Sequence, residues 1–140
     1  MTYSIQWFND GAYRCFSGFV SGDEYVKCSF NLHQDLRYTK ADYIINDYRQ
    51  VIAHNLDEVH VEAISTANRV LAKTKSQLRI ALIIPPNNPA MLALANIYIQ
   101  QTVDLAFECR VFFTLPQAID WARYQVATDS VIQPRQSVAS

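Results

Sequence analysis

The chain is short of almost everything that announces a particular chemistry. It holds 3 Gly and 5 Pro in 140 residues, which excludes collagen-like and low-complexity chains. The glycines, Gly11, Gly18 and Gly22, all fall near the amino terminus. No GxGxxG or GxxxxGKS/T loop exists, so phosphate cradling by consecutive backbone amides at a strand-to-helix turn is not expected. No GxSxG elbow is present either, which removes the usual α/β-hydrolase nucleophile. Charge is equally sparse and balanced: 12 Lys+Arg stand against 13 Asp+Glu. A nucleic-acid binder needs a concentrated positive field, and an anionic membrane surface attracts basic tracts; neither is here. The three cysteines, Cys15, Cys28 and Cys109, form no CxxC or Cys/His spacing. A structural zinc site wants four close ligands, and a disulfide framework wants an even count, so no metal or cofactor is expected. Long hydrophobic runs are missing too. The longest, Ala90 to Ala95, is far too short to cross a bilayer, and Met1-Thr2-Tyr3-Ser4 leads to no expectation of a signal peptide. A cytoplasmic protein is the expectation.

What is present is architecture. Half of the residues are hydrophobic, enough for one core in one domain, assigned to residues 1–127 with 128–140 as a frayed tail. Tyr3 to Phe8 and Ala12 to Val20 flank Asn9-Asp10-Gly11, an Asp-Gly turn signal that predicts an antiparallel hairpin. Ser21-Gly22-Asp23-Glu24 is a capping box opening a helix that runs to about His33. There a charged ring would complement the helix dipole. Leu36 to Lys40 reads as a polar connection, and Ala41 to Tyr48 as a short central strand. Arg49 to His60 reads as irregular. Asn55 or Asp57 then caps a helix whose Ile64, Ala67 and Leu71 share one stripe.

Leu78 to Ile84 is a further strand, stopped by Pro85-Pro86. Asn88-Pro89 supplies an N-cap with proline at the first helical position, and that helix runs to about Thr102. Phe107 to Phe113 is the last strand. Thr114-Leu115-Pro116-Gln117 opens a last helix, with Ala118, Ile119, Ala122 and Val126 inward. The order is β-β-α-β-α-β-α-β-α. It predicts an α/β fold, a five-stranded, mostly parallel sheet with four helices and an N-terminal antiparallel hairpin.

Three places carry candidate function. Asp47 sits at the carboxyl end of a central strand, where open α/β sheets bind ligands, although the turn chemistry of Asp favours a loop cap there. His54-x-x-Asp57-Glu58-x-His60 brings two imidazoles and two carboxylates together, without the helical i, i+4 His spacing of a metal site. The helix from Ala90 to Gln101 carries Met91, Leu92, Leu94, Ile97, Tyr98 and Ile99 around most of its circumference. No charged residue occurs between Arg79 and Asp104. A helix apolar nearly all round is either deeply buried or offers a surface to something else.

The chain resembles the SpoIIAA-like (STAS-type) domain proteins. The likeness lies in the element order and in Ser17-Gly18-x-x-Ser21-Gly22-Asp23-Glu24. It extends to Tyr43-Ile44-Ile45-Asn46-Asp47-Tyr48 and Phe112-Phe113-Thr114-Leu115-Pro116-Gln117-Ala118-Ile119-Asp120-Trp121. It covers about residues 3 to 124 and implies a small, non-enzymatic module. Some relatives bind anti-sigma factors, while others resemble lipid- or nucleotide-binding modules. In the anti-sigma-antagonist branch, an Asp-Ser-Ser-Gly-like motif carries a phosphorylated Ser at the second helix. The matching place is Asp57-Glu58-Val59-His60, where Asp57 agrees but Glu58 and Val59 offer no hydroxyl.

The leading expectation is a binding or regulatory module that contacts an unidentified protein partner or a second copy through helices two and three. Its candidate residues are Asp47, Asp57, Glu58, His60, Leu92 and Ile99. The alternatives are a carrier of a small apolar ligand and, behind it, a small enzyme using Asp47 with His54 and His60.

Overall fold

In the computed structural model, which describes residues 1–125, β1 (Thr2–Trp7) and β2 (Gly11–Val20) pair antiparallel from Trp7 with Ala12 to Thr2 with Ser17. The expected hairpin is there, but for a different reason. The glycine with a positive φ is Gly18, at 74°. Gly11 matters through close approach, since a Cβ on it would lie 2.6 Å from the Tyr43 ring.

From β2 the chain alternates α1 (Gly22–Gln34), β3 (Tyr43–His54), α2 (Glu58–Leu71), β4 (Leu78–Ile83), α3 (Pro89–Gln101) and β5 (Phe107–Phe112). It closes with α4 (Leu115–Ile119), which widens into a π-helical turn over Asp120–Gln125. The sheet order is β1-β2-β3-β4-β5, and every pairing after the hairpin is parallel. The expected α/β fold is the one observed. The expectations for Val126 and for residues 128–140 lie outside the described residues.

The strand order never reverses. Three right-handed crossovers in one direction place their helices on the same face of a sheet. α1, α2 and α3 accordingly cover one face, over a core that includes Phe16, Ile44, Ile80, Leu82, Met91 and Ala95. α4 and the turn after it cover the other, where Ala118, Trp121 and Ala122 pack on Tyr43, Ile45, Ala81 and Ile83. β3 and β4 are buried from both sides, which explains their unbroken apolar runs. A sheet without a reversal also has no switch-point crevice at its carboxyl edge. Any ligand space must therefore lie elsewhere.

Two segments depart from the sequence reading. The stretch after Tyr48 is strand rather than irregular chain. β3 continues to His54, pairing with β2 as far as Val20, while its pairing with β4 ends at Asp47 opposite Ile83. Arg49–His54 is thus a two-stranded overhang with solvent near most of its side chains, so no hydrophobic alternation marks it. Leu36–Lys40 is a 3-10 helix capped by Asp35, whose carboxylate accepts from the Arg37 amide at 2.9 Å. The reciprocal capping box also lies at an unexpected place. At the start of α2, Asp57 accepts from the Val59 and His60 amides, and His60 Nδ1 accepts from the Asp57 amide at 3.1 Å. Histidine takes the position that Glu or Gln usually holds in this motif.

Candidate functional site

Beneath the three helices lies a cavity of about 90 Å³. Its walls follow from two periodicities. Alternate residues of β3 (Ile44, Asn46, Tyr48) and of β4 (Leu78, Ile80, Leu82), with Ile84 just beyond its end, point at it, as period-two strands require. Above them, helical steps of three and four deliver Tyr25, Ser29, Leu32 and His33 from α1. The same steps deliver Ile64 and Asn68 from α2, and Met91, Leu94, Ala95 and Tyr98 from α3.

β2 contributes the least expected residue, Arg14, which is 3% exposed. Its Nε donates to Asn46 Oδ1 at 2.7 Å, and its Nη1 lies 3.4 Å from Ser29 Oγ. The guanidinium carbon sits 5.1 Å from the centre of the Phe16 ring, 5.9 Å from Tyr25 and 6.0 Å from Tyr3. Such cation–π contacts offset part of the desolvation of a buried cation. No Asp or Glu is among the described residues that line the cavity.

The polar groups around Arg14 are neutral. The Tyr25 and Tyr48 hydroxyls bond to each other, and burial raises the pKa of both. Burial likewise raises the Cys28 thiol, against the opposing pull of Arg14, and pushes Cys109 up to about 12. These thiols are protonated core groups, not nucleophiles. His33 packs on Tyr38 with ring centres 5.2 Å apart. Burial, aided by the Arg14 charge, lowers its pKa to about 4. A neutral ring thus replaces the charged, dipole-complementing one expected at this helix end. Across the cavity, Asn68 Nδ2 donates to the Tyr98 hydroxyl. Asn68 is 2% exposed, and its Oδ1 has no partner among the described residues.

The sequence-derived candidates fall in three separate places. Asp47 points to the opposite face from Asn46 and Tyr48. Its carboxylate accepts from Tyr13 Oη at 2.5 Å, from the Arg49 amide at 3.0 Å and from Arg49 Nη2 at 2.7 Å. Burial alone would raise its pKa, but the Arg49 and Tyr13 hydrogen bonds outweigh it and hold the carboxyl below its ordinary value.

His54, Asp57 and His60 serve chain direction. His54 Nδ1 accepts from the Leu56 amide at 3.1 Å. Asp57 caps α2, with Glu58 exposed in its first turn. His60 bridges that cap to Asp23 of α1, its Nε2 lying 3.2 Å from Asp23 Oδ1. The ring presses so closely on Gly22 that a Cβ there would meet it at 2.2 Å. Of these residues His60 alone borders the cavity. On α3, Leu92 and Ile99 are both half-buried, and Leu92 packs against the core. No group of three His, Cys, Asp or Glu among the described residues is placed to hold a metal ion. None of the described helices is long and apolar enough to cross a membrane.

Arg14, Asn46, Asn68 and the tyrosines escaped the sequence reading. One signal for Arg14 was available: Ala12, Arg14 and Phe16 alternate along β2, which puts a cation on the face of two core residues.

No family model and no curated protein matches the chain. A solved structure does: an uncharacterized DUF3478-family protein from Shewanella loihica PV-4, described as having a SpoIIAA-like fold. It matches at a TM-score of 0.50 and 14% identity, over 86% of this chain and 92% of that one. The fold of this protein is SpoIIAA-like.

Proposed function

We propose that this chain is a non-enzymatic binding module that takes a small molecule between its sheet and α1–α3. One observation carries the reading, the cavity of about 90 Å³ with apolar walls and a few convergent polar groups. Close-packed interiors leave few voids larger than a water molecule. Ligand sites combine apolar walls with a small number of placed polar groups, as here. What weighs against the enzyme alternative is that Asp47 accepts from Tyr13 and Arg49 on the far face, while His54 and His60 accept from turn amides.

Native mass spectrometry of gently purified protein, with Ala95→Leu beside it, tests the reading. Ala95 lines the cavity and is 6% exposed, so the larger side chain fills the space. The expected result is an adduct, or a thermal shift by small apolar compounds, that Ala95→Leu abolishes. Ligand uptake undiminished in Ala95→Leu would place binding elsewhere and sink the proposal.

Contact with a protein partner or a second copy remains the second reading. It is supported by Phe19 at 51% and Ile52 at 87% exposure on the overhang of β2 and β3, and by Val59 and Val70 on α2. Sedimentation of the wild type against Ile52→Asp tests it, and monomer at every concentration for both proteins counts against self-association.

A further inference from the structure

The cavity contains a charge that the protein does not balance. Arg14 is 3% exposed, and the ion pairs among the described residues pass it by. It is held by one amide oxygen, the Ser29 and Tyr3 hydroxyls and three ring faces, with no carboxylate among them. Removing a cation from water costs several kcal/mol even after relaxation, and neutral dipoles recover only part of that. The groups that might ionise to balance it are tyrosines and a thiol that burial keeps protonated. Asn68 Oδ1, an acceptor in the same lining, has no partner among the described residues, but a carboxylate has no proton to donate to it, so the charge of the ligand follows from Arg14 alone.

Resting on the cavity as a ligand site, we infer that its ligand is a short-chain monocarboxylate, with its carboxylate on Arg14 and its apolar body among Ile80, Leu82, Met91 and Leu94. Three observations select this class. A single guanidinium neutralises a single negative charge, whereas a phosphate dianion would bring a second charge into a space with no lysine or further arginine in its lining. The planar fork of arginine matches a carboxylate with two parallel hydrogen bonds. The volume sets the size. An engineered apolar cavity of about 150 Å³ accepts the six heavy atoms of benzene, so about 90 Å³ suits an apolar body on the order of three to four heavy atoms. Propionate and butyrate are the natural probes.

The test titrates the full chain at neutral pH with butyrate, with 1-butanol and with butyramide, following amide resonances by NMR. Loss of a charge-assisted pair costs about 1.5–3 kcal/mol, so butyrate should bind about 10- to 100-fold more tightly than either neutral analogue. Arg14→Met, checked for folding by circular dichroism, should erase that difference. The comparison of ligands on the wild type stands even if the variant fails to fold. Equal binding of acid, alcohol and amide at the cavity would overturn the carboxylate assignment and leave the cavity reading intact. Failure of all three to shift cavity resonances up to about 10 mM, a free energy weaker than about −3 kcal/mol, would overturn both.

Discussion

Lowering the pH from 7 to 5 should destabilise this protein through one side chain, His33. The ring lies against Tyr38 at the end of α1 and lines the Arg14 cavity. Burial first, and the Arg14 charge second, take its pKa from 6.5 to about 4. The sign follows from which state takes the proton. Between those values the unfolded chain binds a proton that the folded chain refuses, so stability falls as pH drops through 6.5 and the loss levels off only below about 4. At pH 5 the difference amounts to about 2 kcal/mol, a large share of the stability of a small domain.

Carboxylates whose folded values are depressed, Asp35 by Arg37, Asp104 by Arg69 and Asp47 by Arg49 and Tyr13, also lose stability on acidification. Their loss begins near the ordinary carboxylate value of 3.8 and so falls below this window. Urea unfolding at pH 7 and pH 5, on the wild type and on His33→Gln, isolates the effect. Each protein serves as its own reference, so any cost of the substitution itself cancels. The wild type should lose about 2 kcal/mol between the two conditions and the variant a small fraction of that. An equal loss in both proteins would refute the assignment, and a wild type more stable at pH 5 would refute the burial of a neutral ring.

Other expectations follow from single contacts. Gly22→Ala should cost about 1–3 kcal/mol by driving a methyl into the His60 ring. In a His60→Ala background the same change should be neutral or stabilising, and a double-mutant cycle by urea melts that shows additivity would refute the contact. Asp47→Asn should cost about 1.5–3 kcal/mol, because the side chain is 2% exposed and its charge meets Arg49. Butyrate affinity should not change in Asp47→Asn, since the residue faces away from the cavity. Leu92→Asp should lower the stability of the isolated chain by at least about 1 kcal/mol, as the side chain packs on the core rather than standing free. A variant with wild-type melting and altered sedimentation would instead make that position an interface.

Much of the site's scaffold was legible along the chain, because its determinants are local. Asn88-Pro89 capped α3 as expected, its Oδ1 accepting from the Met91 amide at 3.2 Å, since a cap acts within a few residues. Ile44 and Ile45 announced a strand covered on both faces, and Asn9-Asp10-Gly11 marked the place of the hairpin, though not through a positive φ at Gly11. The overhang Arg49–His54 left no trace, because its regularity comes from pairing with β2 and not from a buried face. His60 was ambiguous for a related reason. Its spacing to Asp57 belongs equally to a catalytic cluster and to a capping box, and only the backbone geometry separates them.

The amino-acid sequence by itself determined the order of elements, the SpoIIAA-like architecture and the lack of nucleotide-binding loops. Periodicity, caps and turn residues are short-range properties that a linear reading captures. The tertiary structure alone decided where charge and space coincide. Arg14 and Asn68 stand 54 positions apart in the chain, and nothing in either neighbourhood singles them out. The uninterrupted sheet order puts α1, α2 and α3 on one face, and it thereby encloses Arg14 with neutral partners while sending Asp47, a carboxylate from the adjoining strand, to the other.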